Sequence, residues 1–268
     1  MNLYLDFGEA ANALLSNITK GAWKEHWLNL LQALHTSVPA DWFVLVMADR
    51  GLYAKWLYRE IVHNGWHPFL RIKQDGAYRP QGESSFRSLV FAAPRVGTCW
   101  TGHVTCFRMR PLDCTLLARW DEPHTDPWLI VTDLPGEQAD VCWYAMRAWI
   151  EAGFKDTKRG GWHWNHTRIA DPKRSERHWL AIAVATLWAV SVGGEADATL
   201  PESSIDELPE LHIARKKKTK EYSRPRLISC FRRGVLVILV RLIAGQKLRL
   251  GRFYPEPWPT SALATDSG

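Results

Sequence analysis

A continuous apolar run, residues 42–48, constrains the fold more than any other part of the chain. The run has the length of a β-strand, and apolar residues then recur at helical intervals from Leu52 to Val62. A strand without polar alternation is typical of a parallel sheet that is covered on both faces. Asp49 follows the run directly, so we expect it at the carboxyl end of a buried strand, where open α/β sheets collect ligands and catalytic groups. The alternative is that Asp49 caps the helix that follows.

A second segment carries ionisable side chains at helical spacing. Five residues lie three or four positions apart and would share one narrow face of an α-helix that begins near residue 137: Tyr144, Arg147, Glu151, Lys155 and Lys158. A carboxylate can hold a divalent metal ion, and cations can hold phosphate oxygens. An enzyme that cuts or joins a nucleic-acid backbone needs these groups. The alternative is an ordinary surface helix in which Arg147 and Glu151 form an i,i+4 ion pair.

Together the two segments resemble the DDE transposases of bacterial insertion sequences, in the group with the signature Tyr-x2-Arg-x3-Glu-x6-Lys. Tyr144, Arg147, Glu151 and Lys158 match every position of that signature, and the similarity extends over about residues 18–260. The resemblance implies an α/β fold with a ribonuclease-H-like mixed sheet flanked by helices. It also implies a partner, the double-stranded DNA of the transposon ends and of the target, which Tyr144, Arg147 and Lys158 would bind.

The resemblance further implies catalysis by two magnesium or manganese ions, with Asp49 and Glu151 as catalytic metal ligands. Two such ions about 4 Å apart can activate a water or a 3′-hydroxyl and neutralise the leaving oxygen of a phosphodiester. Hard carboxylate oxygens suit magnesium. We therefore expect the carboxylates of Asp49 and Glu151 to approach within roughly 8 Å of each other.

The first catalytic aspartate of the family is the position that this sequence matches least well. Asp6 ends a short strand-like segment and is the candidate for this third catalytic metal ligand. Only about fourteen residues separate it from the helix near Gly21, fewer than two further strands with their turns need. Residues 9–15 also favour helix over strand. The sequence thus predicts a chain truncated or internally deleted relative to the family, in which Asp6 is either the first ligand or a solvated surface residue.

The rest of the chain is expected to form a β-rich insertion and a helical C-terminal extension. We predict a catalytic domain over residues 1–192, with the insertion at about 75–135, and a second region over 193–268. That region would hold an acidic linker to about residue 210, a basic run at 215–220 and a buried helix around 234–240. The apolar helix expected at 175–191 should pack beneath the active site.

Composition suits a polyanionic partner, because the net charge is +6 and the pI is near 9.1. The five cysteines contain no C-x-x-C pair, which argues against a zinc site or disulfide framework and favours a reducing cytoplasm. Asp6 and Glu9 interrupt any apolar signal sequence, and the run at 234–240 is too short to span a membrane. Trp162 and Trp164 could stack on DNA bases, although packing is their commoner role.

The sequence is compatible with two functions. The first is a transposase that cleaves DNA and transfers the strands, acting as a possible homodimer. The second is a catalytically inactive remnant that only binds DNA. A different nuclease of the same fold is the alternative outside the family. Because the strands after Asp6 are missing from the pattern, we expect slow cleavage or none.

Overall fold

The structure is a computed structural model that describes residues 2–6, 23–122, 124–158, 160–199, 228–253 and 258–261. The chain divides into two compact units. Met1–Ile150 and Trp258–Gly268 form the first unit, and Glu151–Pro257 form the second. The expected boundary between residues 192 and 193 stays a prediction about domains, and the basic run at 215–220 lies outside the described residues.

The first unit is built on one mixed sheet of eight strands. In chain order they are β1 Asn2–Asp6, β2 Phe43–Ala48, β3 His67–Arg71, β4 Ala77–Pro80, β5 Arg87–Ser88, β6 Thr98–Cys106, β7 Leu112–Trp120 and β8 Trp128–Thr132. Their order across the sheet is β1-β2-β3-β8-β7-β6-β4-β5. The first three strands are parallel, and all other pairs are antiparallel. The expected mixed α/β sheet is therefore confirmed.

Strand β2 is buried on both faces, as its apolar sequence predicts. Val44, Val46 and Ala48 belong to the core cluster that also contains residues of α1 (Trp23–His35) and α2 (Lys55–His63). Leu45 and Met47 belong to a second cluster on the other face. Alternation along a strand sends successive side chains to opposite faces, so one strand contributes to both cores.

The β-rich segment expected at about 75–135 extends the central sheet. Strands β4 to β8 all lie in it, and β8 joins β3 through the pairs Leu70↔Val131 and Arg71↔Ile130. Strands β6 and β7 are nine residues long each and pair along their whole length. They form a long hairpin whose turn is residues 107–111.

The helix of the signature segment is shorter than expected. It does not begin near residue 137: two 3₁₀ segments, Gly136–Gln138 and Val141–Met146, come first, and α3 is Arg147–Thr157. The extended backbone of Ala139 and Asp140 separates the two segments, and the Asp140 side chain accepts a hydrogen bond from the Cys142 N–H. Tyr144 therefore precedes α3 and does not share its face with Glu151, contrary to our expectation.

The second unit contains two helices that pack against each other, α4 Pro172–Thr199 and α5 Cys230–Ile243. Gly193 and Gly234 lie where the backbones are closest. A Cβ at Gly193 would lie 1.7 Å from the Cys230 carbonyl oxygen, and a Cβ at Gly234 would lie 1.7 Å from that of Ala189. Glycine is required at both positions because any side chain would collide with the opposite backbone.

Two expectations about these helices are wrong. Residues 193–199 are the end of α4 and not a linker. The helix expected around 234–240 is not buried, because Leu236, Leu239 and Val240 in α5 are 47%, 47% and 64% exposed. The expectation that α4 packs beneath the active site stays a prediction. Apolar periodicity identifies a helix but does not say what covers it. Within the described residues, α4 is the one helix whose length and composition would allow it to cross a bilayer, a test that core helices of soluble proteins also meet.

Candidate catalytic site

Asp49 lies directly after β2, and its carboxylate is held by the backbone that follows it. Its Oδ1 accepts hydrogen bonds from the N–H groups of Gly51, at 2.8 Å, and Leu52, at 3.2 Å. Helix α2 begins later, and its N-cap residue Ala54 makes no side-chain cap. The expectation of a strand-end aspartate is therefore confirmed, and the alternative that Asp49 caps this helix is wrong. The Asx turn uses Oδ1 and leaves Oδ2 for other partners.

The second carboxylate oxygen of Asp49 faces an arginine of the signature. The Arg147 Nη2 atom lies 3.6 Å from Asp49 Oδ2, and the two side chains are 21% and 30% exposed. Arg147 is the first residue of α3, so the start of this helix lies against the carboxyl end of β2. Partial burial strengthens such a pair relative to a fully solvated one.

Arginines next to this pair form a network that the sequence did not reveal. Arg50, the neighbour of Asp49, and Arg71 at the end of β3 both pair with Asp126; the Arg71 Nη2 to Asp126 Oδ1 distance is 3.1 Å. The Arg71 guanidinium carbon also lies 5.7 Å from the centre of the Tyr144 ring. Asp126 is distant in sequence from its partners, and no motif signals the contact.

Tyr144 is buried, with 4% of its surface exposed. It belongs to the second core cluster with Met47 and Val141, and its ring packs edge-on against Trp128 at 5.4 Å between centroids. Its predicted contact with DNA stays a prediction. The structure shows that Tyr144 is part of the 3₁₀ segment before α3 and that its side chain packs in the core.

Asp6 is the last residue of β1, which runs parallel to β2. In the register of the two strands Asp6 pairs with Met47, two residues before Asp49. The backbones of Asp6 and Asp49 thus lie near the same edge of the sheet. The side chain of Asp6 lies outside the described residues, so its role as a metal ligand is a prediction.

Glu151 and Lys158 belong to the second unit, with Glu151 one helical turn beyond Arg147 in α3. Glu151 is exposed, and Lys158 is the residue directly after α3, where its backbone N–H donates to the Phe154 carbonyl oxygen at 3.1 Å. The proximity of Glu151 to Asp49 stays a prediction. Among the side chains described, no three His, Cys, Asp or Glu residues form a group that could hold a metal ion.

The aromatic residues that follow α3 are used in packing. The Trp162 indole N–H donates to Thr186 Oγ1 at 2.8 Å, and its ring meets Phe231 edge-on at 5.4 Å. Trp164 packs against Trp179 at 4.9 Å between centroids. These contacts support packing, the commoner of the two roles that the sequence allowed, over base stacking.

The mixed sheet with its flanking helices is an α/β architecture consistent with a ribonuclease-H-like domain. Residues 17–188, which are more than half of the chain, match the family described as the transposase DDE domain. The chain therefore belongs to the DDE transposase family, and the fold expected from the sequence is confirmed. No curated protein matches the chain.

Proposed function

We propose that this protein cleaves DNA at the ends of an insertion sequence and joins those ends to a target. The observation that carries the proposal is the geometry of Asp49, whose Oδ1 is fixed by two backbone N–H groups while Oδ2 points toward the signature arginine. Membership of the DDE transposase family supports DNA as the substrate and transposition as the general activity. The cleavage and strand-transfer steps are our inference.

The proposed ligands are carboxylates, whose hard oxygens suit a divalent cation. Asp49 offers a preoriented carboxylate oxygen, and we propose Glu151 and Asp6 as the other ligands of magnesium or manganese. Carboxylate oxygens are the ligands that these ions prefer. Such ions, when bound, would activate the attacking oxygen and stabilise the charge on the leaving oxygen. The Asx turn at Asp49 keeps the carboxylate in place before anything binds, which limits the reorganisation that binding requires.

The cations of the signature would hold the DNA. Arg147 can bind two phosphate oxygens in a planar fork, and Lys158 supplies a compact charge at the end of the same helix. The Arg147 Nη2 atom lies 3.6 Å from Asp49 Oδ2. We propose that Arg147 turns from this carboxylate to a phosphate when DNA binds. Tyr144 would anchor the signature segment in the core through its buried ring. Its direct contact with DNA remains part of the proposal.

We also propose the partners of the protein and the compartment in which it acts. The partners would be double-stranded DNA at the transposon ends and at the target, and a second copy of the chain in a homodimer. DDE transposases are typically soluble proteins, which fits the proposed cytoplasmic localisation.

The second candidate function is a remnant that binds DNA but does not cut it. It is favoured by the position of β1, which lies at the edge of the sheet as far as the described residues show. Only sixteen residues, 7–22, connect β1 to α1. An edge strand is held by one neighbour only, so a ligand at its end is less firmly positioned than one on a central strand.

A plasmid-nicking assay tests both candidates. A supercoiled plasmid that carries the ends of the element is incubated with the full chain and magnesium, and end-specific nicks are mapped. We expect slow nicking that falls by about a hundredfold or more in Asp49→Asn and in Glu151→Gln, because each change removes a metal ligand. Glu176→Gln is the matched control, since Glu176 is an exposed carboxylate of α4.

Each outcome of the assay separates the candidates. End-specific nicking that persists in Glu151→Gln would refute the proposed metal site. No nicking by the unaltered chain, together with salt-sensitive DNA binding, would favour the remnant. Nicking that disappears in Asp6→Ala would identify Asp6 as the first ligand, whereas nicking that persists there and disappears in Glu151→Gln would mean that another carboxylate holds that position.

A further inference from the structure

Three arginines lie next to Asp49 in sequence, across the sheet or in space. The Nη2 atom of Arg147 lies 3.6 Å from Asp49 Oδ2, and Arg50 is the next residue of the chain. Arg71 lies on β3, one position after the last residue of that strand that pairs with β2, so its backbone is beside that of Asp49. A guanidinium group close to this carboxylate competes with any other cation for it, because opposite charges at short range attract each other.

Asp126 pairs with two of these three arginines. Its Oδ1 accepts a hydrogen bond from Arg71 Nη2 at 3.1 Å, and its Oδ2 accepts one from Arg50 Nη1. Among the residues that the structure describes, neither arginine forms an ion pair with another carboxylate. The side chain of Asp126 is 28% exposed, so both pairs are partly shielded from water. One carboxylate from the loop before β8 therefore holds two cations.

Arg71 is the more buried of these two arginines, with 14% of its side chain exposed against 46% for Arg50. Its guanidinium also donates to the Pro127 carbonyl oxygen at 3.2 Å and lies 5.7 Å from the centre of the Tyr144 ring. The buried Nε atom has no hydrogen-bond partner in the described part of the chain. Asp126 thus supplies the negative charge that compensates this guanidinium. A partly buried cation that loses its partner is unfavourable, and another carboxylate within reach would replace that partner.

Asp49 is the carboxylate that these arginines would take instead of Asp126. It lies next to Arg50 in the chain and beside Arg71 across the sheet, and the Asx turn leaves its Oδ2 available. A guanidinium that pairs with Oδ2 occupies an acceptor that a divalent ion needs, and its charge repels that ion. With Asp126 in place, Arg147 is the one arginine that pairs with Asp49 among the described side chains. Asp126 therefore reduces the number of arginines that compete for Asp49 from three to one.

We propose that Asp126 is a positioning residue that keeps Arg50 and Arg71 away from Asp49, so that Asp49 Oδ2 can take a divalent cation. The inference rests on the proposed function, because it takes Asp49 as a metal ligand. Asp126 acts through the two arginines and touches neither the ion nor DNA. An ordinary ion pair would stabilise the fold alone, whereas this pair also sets the affinity of a neighbouring carboxylate for metal.

Binding of Mn²⁺ to the full chain, without DNA, tests the proposal. The affinity is measured by electron paramagnetic resonance, in which free Mn²⁺ gives the signal. Asp49→Asn shows how much of the binding depends on Asp49. Asp126→Asn removes the charge of Asp126 and keeps the shape of its side chain. The matched control is Asp121→Asn, since Asp121 is an acidic residue at the start of the same loop whose carboxylate pairs with a different arginine, Arg119.

Two double variants separate the positioning role from a structural one. Each combines Asp126→Asn with the loss of one freed cation, as Arg50→Ala/Asp126→Asn and Arg71→Gln/Asp126→Asn. If Asp126 acts by restraining these arginines, removal of the arginine that competes should restore the affinity for Mn²⁺. A variant that merely loosens the loop would gain nothing from a second substitution. Asp126→Glu, which keeps the charge, is the conservative variant.

The expected results differ between single and double variants. Asp126→Asn should bind Mn²⁺ about fivefold more weakly, the size expected when a partly exposed ion pair must be broken for the metal to bind. At least one double variant should return to within about twofold of the unaltered chain, and Asp126→Glu should retain most of the affinity. Arg50→Ala alone and Asp121→Asn should bind Mn²⁺ like the unaltered chain. Circular dichroism should show every variant folded.

Three outcomes would overturn the proposal, and they differ in what they say of the proposed function. If Asp49→Asn weakened Mn²⁺ binding and Asp126→Asn did not, the role of Asp126 would be refuted while the metal site stood. If the affinity lost in Asp126→Asn stayed lost in both double variants, Asp126 would be a structural residue only. If Mn²⁺ binding were unaffected by Asp49→Asn, the metal site would be refuted, and the role of Asp126 with it.

Discussion

The close crossing of α4 and α5 leads to a prediction about stability that can be worked out from distances. In Gly234→Ala, the new Cβ would lie 1.7 Å from the Ala189 carbonyl oxygen and 2.9 Å from the Gly193 nitrogen. An ordinary carbon–oxygen contact is about 3.3 Å, so the helices would have to separate by about 1.6 Å. The new Cβ would clash with backbone atoms, which cannot relieve the clash by a change of rotamer as a side chain can.

The expected loss is large for a single methyl group. Adding a methylene group to a well-packed core destabilises a protein by typically 1–3 kcal/mol, and a collision with backbone belongs at the upper end of that range or above it. We therefore expect Gly234→Ala to lower the free energy of unfolding by about 3 kcal/mol. Urea unfolding followed by circular dichroism at 222 nm measures this, since both helices contribute to that signal.

A matched glycine in α3 provides the control. Nothing lies within 4 Å of a Cβ at Gly153, in the interior of the helix that carries Glu151. Gly153→Ala should therefore raise the free energy of unfolding by roughly 0.5–1 kcal/mol, the usual gain for this change in a helix. If Gly234→Ala changed the stability by less than about 0.5 kcal/mol, the two helices would not cross as closely as described, and the reasoning would fail.

The remaining predictions concern charge. Arg147→Ala and Lys158→Ala should each weaken duplex binding and lower the slope of log K against log salt by about one, because each removes a proposed phosphate contact. An unchanged slope in a filter-binding titration would exclude these side chains as DNA contacts. Burial would raise the pKa of Asp140, but hydrogen bonds from Ser261 and Cys142 outweigh it and lower the pKa below its usual value. A carboxyl group whose pKa is lowered by folding stabilises the folded state at pH values above its pKa in the unfolded chain, and this stabilisation is lost as the pH falls. The difference in free energy of unfolding between the unaltered chain and Asp140→Ala, about 1 kcal/mol at pH 7, should therefore shrink between about pH 5 and pH 3 in urea titrations. A difference that did not change with pH would contradict the lowered pKa.

The sequence predicted the parts of the fold that depend on local pattern. The apolar run at 42–48 gave a strand of nearly the same bounds, Phe43–Ala48, and the aspartate after it lies at the strand end as expected. The β-rich segment expected at about 75–135 holds strands β4 to β8, including Thr98–Cys106, Leu112–Trp120 and Trp128–Thr132. Strand length, burial on two faces and the change to a helical period are visible in any short window, which is why these predictions were confirmed.

Features that depend on contacts distant in sequence could not be predicted. The helical spacing from Tyr144 to Lys158 suggested one continuous face, but burial of Tyr144 and Val141 against the sheet favours a 3₁₀ segment before Arg147. Propensity is a weak guide where tertiary packing decides. The ion pairs of Asp126 join the loop before β8 to Arg50 and Arg71 at the ends of β2 and β3, which lie near it only in the folded chain. The left-handed residues Phe107 and Arg110 in the turn of the β6–β7 hairpin are not glycines. Neither feature therefore left a signal in the sequence.

The hydrogen bonds of Asp49 indicate one way in which an insertion sequence would lose the ability to transpose. An asparagine at position 49 could still accept the same two hydrogen bonds through its side-chain oxygen, because the Asx turn uses only Oδ1. The turn would survive while the proposed metal ligand was lost. A single base change at this codon would then produce a stable protein that still occupies the ends of its element and is unable to cut them. Such copies would compete with active ones, and they would restrain the element more effectively than copies that fail to fold.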